Sequence, residues 1–449
     1  MICPKGKRAN NIKDTTATIQ ISFYAIGNQE VSKMKNELFY KGNFGLERET
    51  LRVDKNGRLA HTPHTFTDSA ITRDFCENQI ELITPVCSSV HDAVSELARL
   101  DRTVRCELSK NGESLWMYSN PPYIEGENEI DIAQFTGKEK SKTEYRLKLQ
   151  KRYGKRLMLF SGVHFNFSFS DEYLRSICDT QDLESFKNKF YLRLYKQACI
   201  HSWLILLLTA SSPVYDRSFD NDGAKGGVRS IYSSIRNSKR GYWNSFVPFI
   251  DCSDMESFTH SIQSYVDSGK LFDGSELYLP VRLKPKGKNT IENFKKGVSH
   301  IELRMFDLDP KQPLGVNEES FEFAHLLLMY LSTLPDFEFT PSLQSNAVND
   351  HRSAALLNLV GVEVGGVPII KKAEQIIDSM MWFYSDAPRA LELLESQRCK
   401  LYHRPCMSIH VKDIYPNTEK GDTNVRASRI YCKRTHRYSQ TAAGFLFPL

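Results

Sequence analysis

Residues 44–53 read Phe44-Gly45-Leu46-Glu47-Arg48-Glu49-Thr50-Leu51-Arg52-Val53. Side chains two apart on a strand leave the same face, so Glu47 and Glu49 share one face. The turn residues Asp54-Lys55-Asn56-Gly57 follow at once, which predicts a strand over 44–53 closed by a tight turn. The same alternation recurs downstream. The stretch 71–86 is rich in β-formers, and as one strand over 71–84 it puts Glu77, Gln79 and Glu81 on a single face with Asp74 at the entry. Residues 158–169 turn Val163, Phe165 and Phe167 one way and His164, Asn166 and Ser168 the other. In 300–308, Ile301, Leu303 and Met305 alternate with Glu302 and Arg304. Four strands thus each carry one apolar and one polar face.

Between the strands lie helical spacings at 90–108, 145–153, 183–210, 318–334 and 373–394. Another short strand is expected over 278–283, and a Gly-, Ser- and Arg-rich loop near a site over 223–243. Strands and helices do not alternate in βαβ fashion. The expected class is therefore α+β, an antiparallel sheet with helices packed behind it.

Carboxylates gathered on one face repel and are costly to bury unpaired, so they need a cation. Oxygen ligands with one imidazole suit Mg²⁺ or Mn²⁺, and carboxylate-held Mg²⁺ commonly also meets substrate phosphates. Arg236, Arg282 and Arg304 suit bidentate binding of phosphate or carboxylate. A Glu pair on a strand is ordinarily a solvated face, and a lone strand histidine is ordinarily structural. Repetition on four strands is what points to a polar, metal-dependent cavity. No GxxxxGK[ST] and no well-placed GxGxxG is present, and Gly223-Ala224-Lys225-Gly226-Gly227 lacks the P-loop spacing.

The 449 residues carry 59 Lys/Arg and 54 Asp/Glu. Residues 1–36 hold six basic residues against two acidic, and residues 398–449 hold ten against three. The stretch 37–397 therefore holds 43 basic against 49 acidic, a net of −6. An acidic body offers no basic face for nucleic acid. The longest apolar run, around Trp203–Leu208, is about half of the ~20 residues a membrane span needs. The N-terminus is not read as a secretory signal. Ten cysteines without a CxxC pair or regular spacing read as reduced cytoplasmic thiols, with Cys76, Cys106 and Cys199 as small core residues.

The stretch 44–53 also resembles the opening strand of bacterial glutamate–cysteine ligases (γ-glutamylcysteine synthetases). So do Ile71-Thr72-Arg73-Asp74-Phe75-Cys76-Glu77, Glu81-Leu82-Ile83-Thr84-Pro85-Val86, Ser161–Ser168 and Ile301-Glu302-Leu303-Arg304 with Asp307, Pro310 and Gly315-Val316. Order and spacing agree across about residues 37–395. The resemblance implies a glutamine-synthetase-like fold whose sheet forms a funnel for ATP and metal. It implies ligation of L-glutamate to L-cysteine through a γ-glutamyl phosphate, with ATP as co-substrate.

By the same resemblance, Glu47, Glu49, Glu81, His164 and Glu302 are metal ligands, and catalysis turns on Arg304, Glu47 and Glu302. Asn166 and Arg236 would hold glutamate, Asp74 would meet its amino group or a metal, and Phe75, Tyr145 and Tyr242 would form the cysteine side. Tyr278 and Arg282 would lie near the nucleotide. Met158 stands where related enzymes often have Gln, and Asn120 replaces a usual Met, which leaves open a different acceptor amine. A nucleotide-binding relative without turnover is the other alternative. The expected domains are a disordered basic extension over 1–36, a catalytic domain over 37–397, and a basic segment of unassigned fold over 398–449. Lacking a second ATP-grasp-like half, the chain is expected to stop at the dipeptide. Oligomeric state is not legible in the sequence.

Overall fold

A computed structural model describes residues 38–220 and 223–415; the expected disorder of 1–36 falls outside these residues. Its centre is a seven-stranded antiparallel sheet in the order β2-β3-β1-β5-β9-β8, with β4 also paired to β1. The strands are β1 (Gly42–Val53), β2 (Ile71–Arg73), β3 (Gln79–Ile83), β4 (Ser114–Trp116), β5 (Gly162–Phe169), β8 (Val281–Pro285) and β9 (Val298–Asp307). A separate ribbon pairs β6 (Val214–Asp216) with β7 (Gly227–Arg229).

The main helices are α1 (Val90–Lys110), α2 (Lys140–Tyr153), α3 (Asp171–Ile177), α4 (Leu183–Thr209) and α5 (Met255–Asp267). They continue as α6 (Glu318–Ser332), α7 (Pro341–Ala354), α8 (Ile369–Phe383), α9 (Pro388–Lys400) and α10 (Val411–Ile414).

Alternation decides which face meets the helices. Phe44, Leu46, Val163, Phe165, Phe167, Ile301, Leu303 and Met305 are all buried in one apolar cluster with the inner sides of α1, α4 and α6. The run Trp203–Leu208 lies wholly inside, as a helix apolar on all sides must. Two arginines of β1 sit on this face with the hydrophobes. Arg48 is fully buried and donates to Asp101 Oδ1 of α1 at 2.6 Å. Arg52 donates to Glu113 Oε2 at 3.0 Å. Each buried guanidinium thus has a carboxylate partner, as burial requires.

Three expectations are revised. The stretch 71–84 is a hairpin of β2 and β3 rather than one strand, because the chain turns through 74–78 with Asp74 N–H donating to Gln79 C=O. Glu77 therefore leaves the shared face and pairs with Arg73 at 2.7 Å. The helix expected over 373–394 is two, broken before Pro388, which starts α9 and cannot continue α8. Of the three cysteines expected in the core, Cys76 is buried, Cys199 half-buried and Cys106 exposed.

Residues 401–415 fold back onto the body. Ile409, Ile414 and Tyr415 enter a second apolar cluster with Leu51, Val53, Trp116, Phe75 and Met158. Arg229 holds the Ile409 carbonyl at 2.6 Å and Arg404 holds the Leu356 carbonyl at 3.1 Å. No helix among the described residues is long and apolar enough to cross a membrane.

Candidate active site

The sheet face opposite the helices gathers the polar side chains, and strand register sets who meets whom. Glu47 stands opposite His164 in the β1–β5 pairing, and Glu49 opposite Glu81 in β1–β3. On the other side, Asn166 of β5 and Arg282 of β8 both face Glu302 of β9. A register shift between Val163 and Phe165 falls at His164, and such irregularities re-aim a side chain.

His164 is the hub. Its Nδ1 lies 3.1 Å from Glu47 Oε2 and 3.6 Å from Glu302 Oε1, and its Nε2 lies 3.5 Å from Glu49 Oε1. Asn166 Nδ2 donates to Glu47 Oε1 at 3.1 Å. Glu302 is fully buried and pairs with Arg304 Nη1 at 3.2 Å and Lys284 Nζ at 3.1 Å. Lys284 was not expected here; it reaches Glu302 only through the β8–β9 pairing, which local alternation does not reveal.

Electrostatics divide the cluster in two. Glu302 is held well below the usual carboxylate range: burial opposes ionisation, but Lys284, Arg304 and His164 outweigh it. Glu47 is also lowered, by its hydrogen bond with His164 against the effect of burial. Burial, then Asp74, pushes Glu49 up to about 8, against Arg236 and Arg304. Glu81 rises well above its ordinary value through burial, Asp74, Glu47 and Glu49. Burial and Arg304 lower His164 and favour the neutral imidazole, the form that ligates metal.

Ligand atoms of Glu47, His164 and Glu302 lie within 4.8 Å of one another. His164 Nε2, Glu302 Oε2 and Asn166 Oδ1 are buried without a hydrogen-bond partner. Orphaned buried acceptors beside carboxylates of raised pKa are what a divalent cation would satisfy.

Next to this cluster, Arg236, Tyr242, Tyr278 and Arg304 line a cavity open to solvent. Tyr278 packs edge-on against Tyr242 at 5.0 Å and Tyr153 at 5.4 Å between ring centroids, and its hydroxyl is orphaned. Arg282 donates to the Leu277 and Ser275 carbonyls at 2.8 and 2.7 Å. Tyr145, whose phenol is raised by burial, bonds Ser275 as well. Tyr278 and Arg282, expected beside the nucleotide, are thus grouped with Tyr145 and Tyr242, expected on the acceptor side. Phe75 is buried in the second apolar cluster with Met158. Asn120 is also interior, donating to the Ser212 and Val214 carbonyls at 2.9 and 2.6 Å. Arg146 of α2 donates to the Asp74 carbonyl and anchors the turn that presents Asp74.

Comparison with known proteins agrees with this architecture. The sequence profile described as glutamate-cysteine ligase matches residues 29–271 and 264–353. A glutathione biosynthesis bifunctional protein of Clostridium perfringens is 34% identical over 369 residues, covering 77% of this chain and 47% of the relative. Its counterpart in Listeria monocytogenes is 30% identical over 440 residues, covering 91% of this chain and 57% of the relative. The chain spans about half the length of these curated relatives. In fold, it is similar to a glutamate–cysteine ligase from Francisella tularensis crystallised with AMP. That match has a TM-score of 0.76 at 22% identity and covers 91% of this chain and 90% of the other. A bifunctional glutathione synthetase from Pasteurella multocida matches with a TM-score of 0.75 at 24% identity, covering 91% of this chain and 54% of the other. The profile match takes in most of the sheet and its polar face, and the chain belongs to the glutamate–cysteine ligase family.

Proposed function

We propose that the chain is an ATP-dependent ligase of the cytoplasm that joins the γ-carboxylate of L-glutamate to the amine of L-cysteine, giving γ-glutamylcysteine. The observation that carries this reading is the group Glu47, His164 and Glu302 beside Arg304, on the polar face of an antiparallel sheet in a chain of this family. The bifunctional relatives are named for glutathione biosynthesis, and the proposal concerns its glutamate–cysteine step.

A carboxylate resists attack by an amine because it lacks a leaving group. In the proposed sequence one γ-carboxylate oxygen bonds to the terminal phosphorus of ATP and ADP departs. The cysteine amine then attacks the carbonyl carbon. Phosphate leaves with the former carboxylate oxygen, and the amine loses a proton. Such transfers need alignment and charge neutralisation more than covalent help.

The residues fit a divalent cation: Glu47, His164 and Glu302 would hold it, with Glu49 and Glu81 alongside. Bound Mg²⁺, or Mn²⁺, would offset the phosphate charge. Arg304, pinned by Glu302, is set to meet charge on the transferring phosphoryl group, and Lys284 stands beside it. Arg236 and Asn166 would orient glutamate, with Asp74 toward its ammonium. Tyr145 and Tyr242, joined by Tyr278, would form the acceptor side.

The test is phosphate release from ATP and Mg²⁺ with glutamate, with and without cysteine and across a panel of amines. Release that requires glutamate and is fastest with cysteine is expected. Turnover fastest with another amine would sink the cysteine assignment. No glutamate dependence would sink the ligase reading.

A further inference from the structure

Arg236 is buried at the end of β9, where its Nη2 donates to the Arg304 carbonyl at 2.8 Å and the Phe306 carbonyl at 2.7 Å. Its Nε lies 3.8 Å from Asp307 Oδ1. Asp307 is itself only 5% exposed and collects donors from two loops. Ser211 N–H and Ser212 Oγ donate to its Oδ2 at 3.1 and 2.5 Å. Ser234 Oγ donates to its Oδ1 at 2.9 Å, and Asn237 Nδ2, which bonds the Met305 carbonyl at 3.0 Å, lies 3.4 Å from the same oxygen. One carboxylate therefore fastens the chain on both sides of Arg236 to the strand that carries Glu302 and Arg304.

Two glycines complete the seat. A Cβ on Gly162 of β5 would lie 2.2 Å from Arg236 Nη2 and 2.4 Å from Cζ, so the guanidinium occupies the place of a missing side chain. A Cβ on Gly241 would lie 1.7 Å from the Arg236 carbonyl oxygen, so the loop closes over the arginine only with glycine there. A guanidinium fixed this way loses little freedom on binding a carboxylate, which favours affinity for a small anionic substrate.

The geometry points to Asp307 as a positioning residue for glutamate recognition: through its four donors and the vacant face of Gly162, it aims Arg236 into the cavity shared with Tyr242 and Arg304. This rests on the reading that Arg236 holds glutamate. Asp307 touches no substrate; it acts through Arg236, so its loss should fall on glutamate KM more than on kcat.

The experiment is steady-state kinetics on the full chain for wild type, Asp307→Asn, Gly162→Ala, Arg236→Lys and the Arg236→Lys/Asp307→Asn double variant. Asp307→Asn and Gly162→Ala are each expected to raise glutamate KM about tenfold or more while ATP KM stays put. In the Arg236→Lys background, Asp307→Asn should add little, because the side chain it aims is already gone. An unchanged glutamate KM in Asp307→Asn, or the same factor in both backgrounds, overturns the inference while leaving the ligase reading intact. Wild-type glutamate KM in Arg236→Lys overturns both the inference and the placement of glutamate on Arg236. If Asp307→Asn fails to fold, Gly162→Ala decides alone, since its added methyl meets the Arg236 guanidinium directly and must displace it; an unchanged glutamate KM there refutes the seat.

Discussion

Glu47 and His164 face each other across the β1–β5 pairing with Nδ1 3.1 Å from Oε2, and the same imidazole approaches Glu49 through Nε2 at 3.5 Å. A histidine between two carboxylates would ordinarily be protonated. Here burial and Arg304 push it the other way, and Nε2 is left without a hydrogen-bond donor or acceptor. A neutral imidazole with a free nitrogen beside ionised Glu302 is a ligand set prepared for a cation.

Losing one charged contact to a transferring phosphoryl group costs about a hundredfold or more in kcat. Glu47→Gln and Arg304→Ala are each expected to lower kcat by at least that factor with the fold retained by circular dichroism. Normal rates in both variants would refute the position of the site.

Cation binding to the folded state alone stabilises it by mass action. At a hundred times its dissociation constant the gain is about 2.7 kcal/mol. Thermal unfolding of the wild type should shift upward with Mg²⁺ or Mn²⁺, and Glu302→Ala should abolish the shift. An equal shift in both proteins would place the cation elsewhere.

Arg48 is fully buried among hydrophobes and meets Asp101, which also holds Arg105 at 2.5 Å. Removing one partner of a buried pair leaves a charge uncompensated, at a cost of about 3–5 kcal/mol. Asp101→Asn should lower the urea midpoint accordingly and leave glutamate KM unchanged. A midpoint at the wild-type value would show that Arg48 finds another partner.

His351 and His201 are buried, and burial pushes them down to about 3 and about 4, with Arg236 and Arg352 adding to the effect on His351. Unfolded, both return to about 6.5. Above that pH both states are neutral and nothing is lost. Below it only the unfolded chain takes up protons, so stability falls as pH drops from 6.5 toward 4, by about 1–2 kcal/mol per histidine at pH 5. Raised Glu49 and Glu81 act in the opposite direction over the same range, so the histidine share is read as a difference: between pH 6.5 and pH 5 in urea unfolding, His351→Gln should lose less stability, or gain more, than the wild type. Equal pH dependence in wild type and variant would contradict the assignment.

Much of this was legible because one face of the sheet packs on the main helices while the other gathers the polar side chains. Residues 163–168 and 301–305 alternate so cleanly that the apolar and polar sets could be named from sequence, and Trp203–Leu208 showed a buried helix; in 44–53 the pattern breaks, since Arg48 and Arg52 join the apolar face and Leu51 and Val53 enter the second cluster. The hairpin at 71–83 was not legible, since Cys76 and Phe75 continue the β-rich pattern straight through its turn. Helices α5 and α7 escaped because few large hydrophobes mark their buried sides: Phe258 and Ile262 in one, and Gln344, Ala347, Val348 and His351 in the other. Their caps were readable signals, with Asp254 accepting from Ser257 N–H and Thr340 followed by Pro341 at the first turn. Lys284 was hidden for another reason: on its own strand it is one polar alternation among many, and only pairing with β9 brings it to Glu302.

The most direct measurement follows one oxygen atom. Glutamate labelled with heavy oxygen in its γ-carboxylate is incubated with ATP, Mg²⁺ and cysteine, and the inorganic phosphate is analysed by mass. An acyl phosphate route predicts that each phosphate released carries one labelled oxygen, in step with γ-glutamylcysteine formed. Unlabelled phosphate would contradict the account, because the γ-carboxylate would not then have been phosphorylated.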